Sequence, residues 1–381
     1  MKNFASPLLC VLLAACVSEP VISPEKQQSM FNDALFAPPS ERIDVNDIFA
    51  LDTGMQTFLD HEVARKEIME GKVMALYDSL YTSDHKKFAY DAVQTRNAAD
   101  VFRLQSGNCL SYTIMTAAFA KQLHEPVQFH VVSFGEVWDR SDNIEFKIGH
   151  VNLTVGQASF STGHDAPKLI DFGAFENTRG EILDDIGEDV IIAMYLNNRA
   201  AEALAKNQLD DAYWWARAAM VYTPSYIGAY NTMGVIYSRH QNLIQSELVF
   251  RQVLEREPDN VLAMSNQVQV LARLGRTDES SKLAQRLAEI QPNPPYFFFN
   301  LGLAAMRAHD YEEARLEFKK EVNRASYNHQ FHFWLALANY YLGNFDETRK
   351  QLRVAMENSP NTEQHDLYAA KLEMMKSHVS H

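Results

Sequence analysis

Cys109, His150 and Asp171 stand in that order in the N-terminal half of the chain, each in a local setting that bears on its chemistry. Cys109 follows Gln105-Ser106-Gly107-Asn108 and opens the run CLSYTIMTAAFAKQLHE, in which Leu110, Ile114, Ala117, Ala118 and Leu123 recur at helical spacing. Gly107 permits a sharp turn, so the thiol is expected at a helix N-terminus. There the macrodipole and the unpaired backbone N–H groups favour the thiolate, the nucleophilic form. The other two cysteines, Cys10 and Cys16, lie in the first sixteen residues, which leaves Cys109 as the only thiol in the body of the chain. Three cysteines so placed exclude a disulfide framework and a cysteine-based zinc site.

The elements that must position these groups follow from the hydrophobic period. After Pro126 the period falls to two, and residues 127–134, 146–156 and 168–173 read as strands. His150 then lies mid-strand and Asp171 near the end of the third strand. His124 and His164 compete weakly as partners of the thiol, one at the far end of the helix and one in a Gly-containing loop. His130, on the strand beside that of His150, competes directly. Upstream, Met55, Phe58, Leu59, Val63, Ile68, Val73, Leu76 and Leu80 predict a helix over 53–81 with Gly71 as its weak point, and a second helical stretch covers 87–104.

A helix begun by cysteine, a strand with histidine and a strand with aspartate, in that order, resembles the transglutaminase-like papain superfamily. The resemblance covers about residues 85–175 and rests on Gly107-Asn108-Cys109-Leu110-Ser111, Gly149-His150-Val151 and Leu169-Ile170-Asp171-Phe172. It implies an α+β cysteine-protease-type core with Cys109 as nucleophile, His150 as base and later acid, and Asp171 holding the imidazole. The Cys109 backbone N–H would supply one oxyanion donor, and Gln105 a side-chain donor, although its spacing from the cysteine is not that of papain. Leu110 and Val151-Asn152-Leu153 stand where classical transglutaminases carry tryptophans, and no acidic loop of EF-hand type occurs. Peptidase or amidase chemistry therefore fits better than calcium-dependent cross-linking.

The C-terminal half is periodic. Pro224, Pro258, Pro292 and Pro360 sit on one 34-residue ladder, with Ser326 in the missing slot. Ala212, Ser246, Ser280, Ala314 and Thr348 form a second ladder of small residues, and Ala200, Gly234, Val268, Gly302 and Ala336 a third that is small in four of five. A fourth, Ala216, Phe250, Ala284, Phe318 and Leu352, is apolar throughout. Small residues let paired helices approach, and proline stops the second helix of each pair. The pattern resembles the tetratricopeptide repeat in five units, 191–224, 225–258, 259–292, 293–326 and 327–360, with 361–381 as a capping helix and tail. Stacked units give an all-α superhelix whose groove takes a peptide or protein ligand. Tyr230, Asn231, Tyr237, Asn266, Phe299, Asn300, His332 and Trp334 fall on first helices, where they line the groove or pack between units.

The N-terminus reads as an address. Lys2 precedes an apolar run from Pro7 to Ala15, too short to span a bilayer. Leu13-Ala14-Ala15-Cys16 resembles a bacterial lipobox, which implies a signal peptide over 1–15, lipidation of Cys16 and membrane attachment. Val17 after the cysteine points to the outer membrane, facing the periplasm. Residues 16–46, with Pro20, Pro24, Pro38 and Pro39, are expected to form a lipidated tether. The transglutaminase-like domain then spans 47–190 and joins the first repeat without a flexible linker.

With 381 residues the chain holds two to three domains. Its 35 Lys+Arg against 49 Asp+Glu give a net charge of −14, which repels phosphate backbones and excludes nucleic acid as a partner. No Gly-rich nucleotide fingerprint, P-loop, His-Glu-x-x-His or Cys-x-x-Cys motif occurs, so neither cofactor nor metal is expected. Two functions follow. One is an envelope lipoprotein with a thiol peptidase, amidase or acyl-transfer site fed by the repeats. The other is a non-catalytic repeat adaptor or scaffold for envelope protein assembly.

Overall fold

The computed structural model describes residues 22–82, 88–141, 144–156, 166–172, 181–359 and 362–378. Residues 1–21, with Cys10 and Cys16, and also His164 and Pro360 lie outside the described residues.

The N-terminal half is built around one helix that is apolar on every side. In α6 (Cys109–Gln122) every residue from Cys109 to Ala120 is buried, as an all-round apolar helix requires. Its buried hydroxyls, apart from that of Thr113, are satisfied locally or across the core. Thr116 Oγ1 donates to Tyr112 O at 2.8 Å and shares a 2.5 Å bond with the Tyr81 hydroxyl. The Tyr112 hydroxyl donates to Ala89 O at 2.5 Å. One side of α6 packs on an antiparallel sheet, ordered β5-β4-β3-β6, of β3 (Val127–Ser141), β4 (Ile144–Val155), β5 (Lys168–Ile170) and β6 (Glu181–Ile186). The register sets Val132 against His150 and His130 against Asn152.

Ahead of α6 the expected long helices are shorter. The first runs as α2 (Thr53–Phe58), a π turn and α3 (Ala64–Glu70) and stops at Gly71, whose φ of 75° no helix tolerates. It resumes as α4 (Lys72–Tyr77). Of the stretch 87–104, among the described residues 88–104, only α5 (Ala98–Leu104) is helical. The reason is local polar competition. Asp91 accepts the Val93 N–H at 3.1 Å and pairs with Arg96 at 3.0 Å, and the Asn97 side chain caps α5. Residues 89–90 form β1 (Ala89–Tyr90), which pairs in parallel with β2 (Ser106–Gly107). Gly107 is needed there for close approach and not for a turn, because a Cβ would meet Ser111 Cβ at 2.8 Å.

The C-terminal half consists of five helix pairs. They are α7 (Glu188–Ala205) with α8 (Leu209–Tyr222), α9 (Ile227–Arg239) with α10 (Leu243–Arg256), and α11 (Val261–Arg273) with α12 (Thr277–Ile290). The series continues with α13 (Phe297–Arg307) and α14 (Tyr311–Arg324), then α15 (His329–Tyr341) and α16 (Phe345–Glu357), followed by α17 (Thr362–His378). The 34-residue period is visible in the backbone itself. Asn207, Gln241, Gly275, His309 and Gly343 all have positive φ, and each closes the first helix of its pair. At Gly234 and Gly302 an added Cβ would meet the rings of Phe250 and Phe318 at 2.6 and 2.5 Å, so the small-residue ladder is a helix–helix contact.

The segment expected to be a tether, described from Ile22, opens with α1 (Pro24–Gln28) and crosses α8, α9 and α10. Phe36 stacks on Tyr213 at 4.0 Å between ring centroids, and Ile22, Met30 and Phe36 belong to the main core. The repeat side chains grip its backbone. Asn32 N–H donates to the hydroxyls of Tyr213 and Tyr237 at 3.0 and 2.9 Å, and Tyr237 donates in turn to Met30 O. Ala37 and Ser40 N–H groups reach Asp210 and Asp211 at 2.9 and 2.7 Å, while Trp214 donates to Ala37 O. Prolines and polar residues suggest a tether only where nothing accepts the backbone. Here tyrosine, tryptophan and aspartate side chains of the first two units do so.

Candidate thiol active site

Asn108 is the N-cap of α6. Its Oδ1 accepts from the Ser111 N–H at 2.9 Å and from the Ser111 hydroxyl at 2.8 Å, which fixes where the helix begins and so where Cys109 sits. Cys109 is 8% exposed. Its thiol is in hydrogen-bonding contact with the His150 side chain and with the backbone N–H groups of Val151 and Leu110. Burial pushes the thiol pKa up. The His150 hydrogen bond and charge, followed by the two backbone N–H groups, outweigh burial and hold it below its ordinary value.

His150 sits mid-strand on β4, as its place in the sequence requires, and its Nε2 lies 2.6 Å from Asp171 Oδ1. That leaves Nδ1 as the ring nitrogen available to the thiol. Burial pulls the imidazole pKa down, but the bond to Asp171, then the bond and charge of Cys109, raise it to about 9. Asp171 follows directly on β5. Its other oxygen, Oδ2, accepts from Asn152 Nδ2 at 3.1 Å, and the next residue, Phe172, packs on Tyr112 and Tyr81. The structure thus brings Cys109, His150 and Asp171 into one hydrogen-bonded chain, an arrangement that can hold a thiolate beside an imidazolium at neutral pH.

The competing histidines stand elsewhere. His130 has both ring nitrogens engaged, Nδ1 with Asp185 at 2.7 Å and Nε2 with Thr154 at 2.8 Å. His124 is exposed beyond the far end of α6. Gln105 closes α5 in the left-handed region, with φ of 51°, and its carbonyl accepts from the Ala89 N–H at 2.8 Å. Among the described residues no hydrogen bond holds its side-chain amide at Cys109, so the structure does not bring the expected oxyanion donor to the thiol. Tyr90 on β1 is there instead, in hydrogen-bonding contact with both the thiol and the backbone N–H of Cys109. No local signal marks Tyr90 in the sequence, because the pairing of two-residue strands is invisible to hydrophobic period.

The first repeat helix reaches the site. Asn108 Nδ2 donates to Thr95 Oγ1 at 2.8 Å, and the same oxygen accepts from Asn198 Nδ2 on α7 at 3.2 Å. Thr95 N–H donates to Glu202 Oε1, also on α7, at 2.6 Å. Of the residues expected in the groove, Tyr230 and Tyr237 bind the N-terminal segment, and His332 is spent on Gln351 and the Ser326 carbonyl. Phe299 and Trp334 pack on each other and on Phe318.

A family model for the tetratricopeptide repeat matches residues 232–295 and 299–362, across the helix pairs from α9 to α16. The C-terminal half is a tetratricopeptide-repeat array. No curated protein matches the chain. Among solved structures, MamA from Desulfovibrio magneticus RS-1 is 16% identical, with 45% of this chain and 96% of that one covered at a TM-score of 0.27. YrrB, described as a TPR protein with an unusual peptide-binding site, is 20% identical over 47% and 92% at 0.26. A tetratricopeptide repeat protein from Parabacteroides merdae is 18% identical over 50% and 75%, also at 0.26. Likeness at this level carries no argument about function.

Proposed function

We propose that this is a protein-binding repeat protein whose N-terminal domain is a transglutaminase-like thiol acyl-transfer centre, with Cys109 as nucleophile, His150 as acid–base group and Asp171 as its orienting partner. The repeats hold a partner polypeptide and present it to the thiol. The last two helix pairs leave apolar residues uncovered, among them Leu301, Tyr340, Tyr341 and Phe345, which supports protein binding there. The observation that carries the catalytic part is the single imidazole bonded on one side to Asp171 and on the other to the only thiol in the body of the chain.

In the reaction the thiolate adds to a carbonyl carbon and the carbonyl π pair moves to oxygen. On collapse the imidazolium of His150 gives its proton to the leaving amine, the C–N bond breaks, and a thioester remains on Cys109. Water, deprotonated by the now neutral His150, or a second nucleophile then releases the acyl group.

The test is the pH dependence of Cys109 alkylation by iodoacetamide, in wild type and in His150→Ala. The catalytic reading expects fast alkylation well below pH 8 that is lost in the variant. There burial is opposed only by backbone N–H groups, and the midpoint moves to or above the ordinary value of about 8.5. A midpoint near that value in both proteins would overturn it. A second reading, a non-catalytic adaptor, is favoured by the burial of Cys109. It expects Cys109→Ala to leave both partner capture and cellular function intact.

The location proposed is the cell envelope, with Cys16 lipidated. Only five residues, 17–21, then separate Cys16 from Ile22, about 20 Å when extended, so the repeats would lie close to the membrane. Cys16→Ala should release the protein from the membrane fraction; an unchanged distribution would refute the anchor.

A further inference from the structure

β1 is two residues long, yet Tyr90 is firmly placed. The N–H groups on either side of it donate to the Gln105 and Gly107 carbonyls at 2.8 and 3.0 Å, and the Tyr112 hydroxyl holds the Ala89 carbonyl from α6. The next residue, Asp91, is paired with Arg96, which also donates to the Ser106 carbonyl. In register Tyr90 lies opposite Gly107, two residues before the nucleophile. The glycine keeps that crossing close to α6, and the Tyr90 hydroxyl meets both the thiol and the first backbone N–H of the helix. That N–H belongs to the first turn and has no intrahelical partner. In acyl transfer by a thiolate at such a position, the developing oxyanion lies within reach of this same N–H and next to the sulfur. The phenol oxygen therefore stands where the oxyanion would form.

We propose that Tyr90 is a catalytic residue of the thiol site: its hydroxyl rests on the Cys109 thiol and N–H in the free protein, gives way to the carbonyl oxygen of an incoming acyl group, and then donates its hydrogen bond to the oxyanion. The inference rests on the acyl-transfer reading and supplies the second donor that Gln105 does not. No proton is transferred from Tyr90; it donates in the adduct and resumes its contact when the carbonyl re-forms. Burial, and then the charge of the neighbouring thiolate, push the phenol pKa well above its ordinary value, so the group stays a donor wherever the thiolate exists.

The experiment compares two electrophiles on the full chain, wild type against Tyr90→Phe. With p-nitrophenyl acetate, Sγ adds to the carbonyl carbon, an oxyanion forms, and p-nitrophenolate leaves with its electron pair to give the acetyl thioester. With iodoacetamide, Sγ displaces iodide at a saturated carbon and no oxyanion forms. Both are run above pH 9, where the thiol is ionised in either protein, and the thermal midpoint is read alongside. The expected result is a fall in acylation rate of about 10²-fold, the usual effect of losing one oxyanion donor, with alkylation changed less than about threefold. Tyr90→His, which returns a donor, should recover part of the loss. Equal slowing with both electrophiles would overturn the proposal, since Tyr90 would then act only through the thiolate. Acceleration with both would overturn it too, making Tyr90 a plug. Failure of the parent reading shows separately, as an ordinary thiol midpoint in wild type that His150→Ala does not move, and it would remove the oxyanion role as well.

Discussion

The two halves of this molecule store their structural information differently. In the repeat array each position is written five times, and a contact such as Gly234 on the Phe250 ring returns as Gly302 on Phe318. In the N-terminal domain each decisive contact occurs once. Two histidines on paired strands, His130 and His150, both carry a carboxylate partner, and only one of them faces the thiol. Redundancy makes a fold tolerant of any one residue; a single-copy site is not. The prediction that follows is a gradient of sensitivity from the site to the repeat turns.

At the steep end, Asp171→Asn keeps the shape but removes the charge that holds the imidazole protonated. His150 should fall from about 9 toward or below its ordinary value, and alkylation of Cys109 at pH 7 should slow roughly 10- to 100-fold. The sign follows from the pair. A raised histidine is charged below its folded pKa, so the imidazolium and the thiolate reactivity it supports persist through neutral pH in wild type. Above about pH 9 the imidazole titrates and the proton donor for the leaving amine is lost, while the thiolate and its alkylation remain. An unchanged rate at pH 7 would show that the carboxylate is only structural.

Next comes Phe36→Ala in the N-terminal segment, a single-copy contact placed on the redundant half. Loss of the stacked, buried ring should cost about 3 kcal/mol in urea unfolding and expose residues 22–44 to protease. A smaller effect without new cleavage would mean that the backbone bonds to Tyr213, Asp210 and Trp214 suffice. Within the array, Gly302→Ala forces a methyl into the Phe318 ring and should cost about 2 kcal/mol. At the shallow end, Gln241→Gly relieves a left-handed residue in one of five equivalent turns. Because glycine is also freer in the unfolded chain, the net gain should be only about 0.5 kcal/mol. Destabilisation there would mean that the Gln241 side chain, which accepts from Arg273 at 2.6 Å, matters more than its backbone.

The same difference explains what could be read from the sequence. The 34-residue ladders were sufficient for the repeats because periodicity survives degeneration at any one position, as Ser246 in place of alanine illustrates. Cys109 at a helix start was legible because Asn108 is a capping residue type and the run after it has helical spacing. Meeting of His150 with the thiol depended on strand register, which alternation alone leaves open between adjacent strands, so His130 competed. Tyr90 and β6 were not legible. One depends on pairing over two residues, and the other is a short strand with two aspartates at its centre. The N-terminal segment left a trace, since Tyr213-Trp214 have Glu247-Leu248 and Ser281-Lys282 as their counterparts in the next two units. That aromatic excess is spent on covering a segment nearly two hundred residues away.

The crossing of that segment has a consequence for the order of synthesis. Lys26 and Glu255 form an ion pair at 2.7 Å across 229 residues of sequence. The part of the chain translated first is therefore among the last to find its place. At ordinary elongation rates, roughly 10 to 50 s separate the emergence of the segment from completion of the surface that receives it. Through that interval Ile22, Met30 and Phe36 have no core to enter, and the growing chain carries its own apolar bait ahead of the repeats that will take it up.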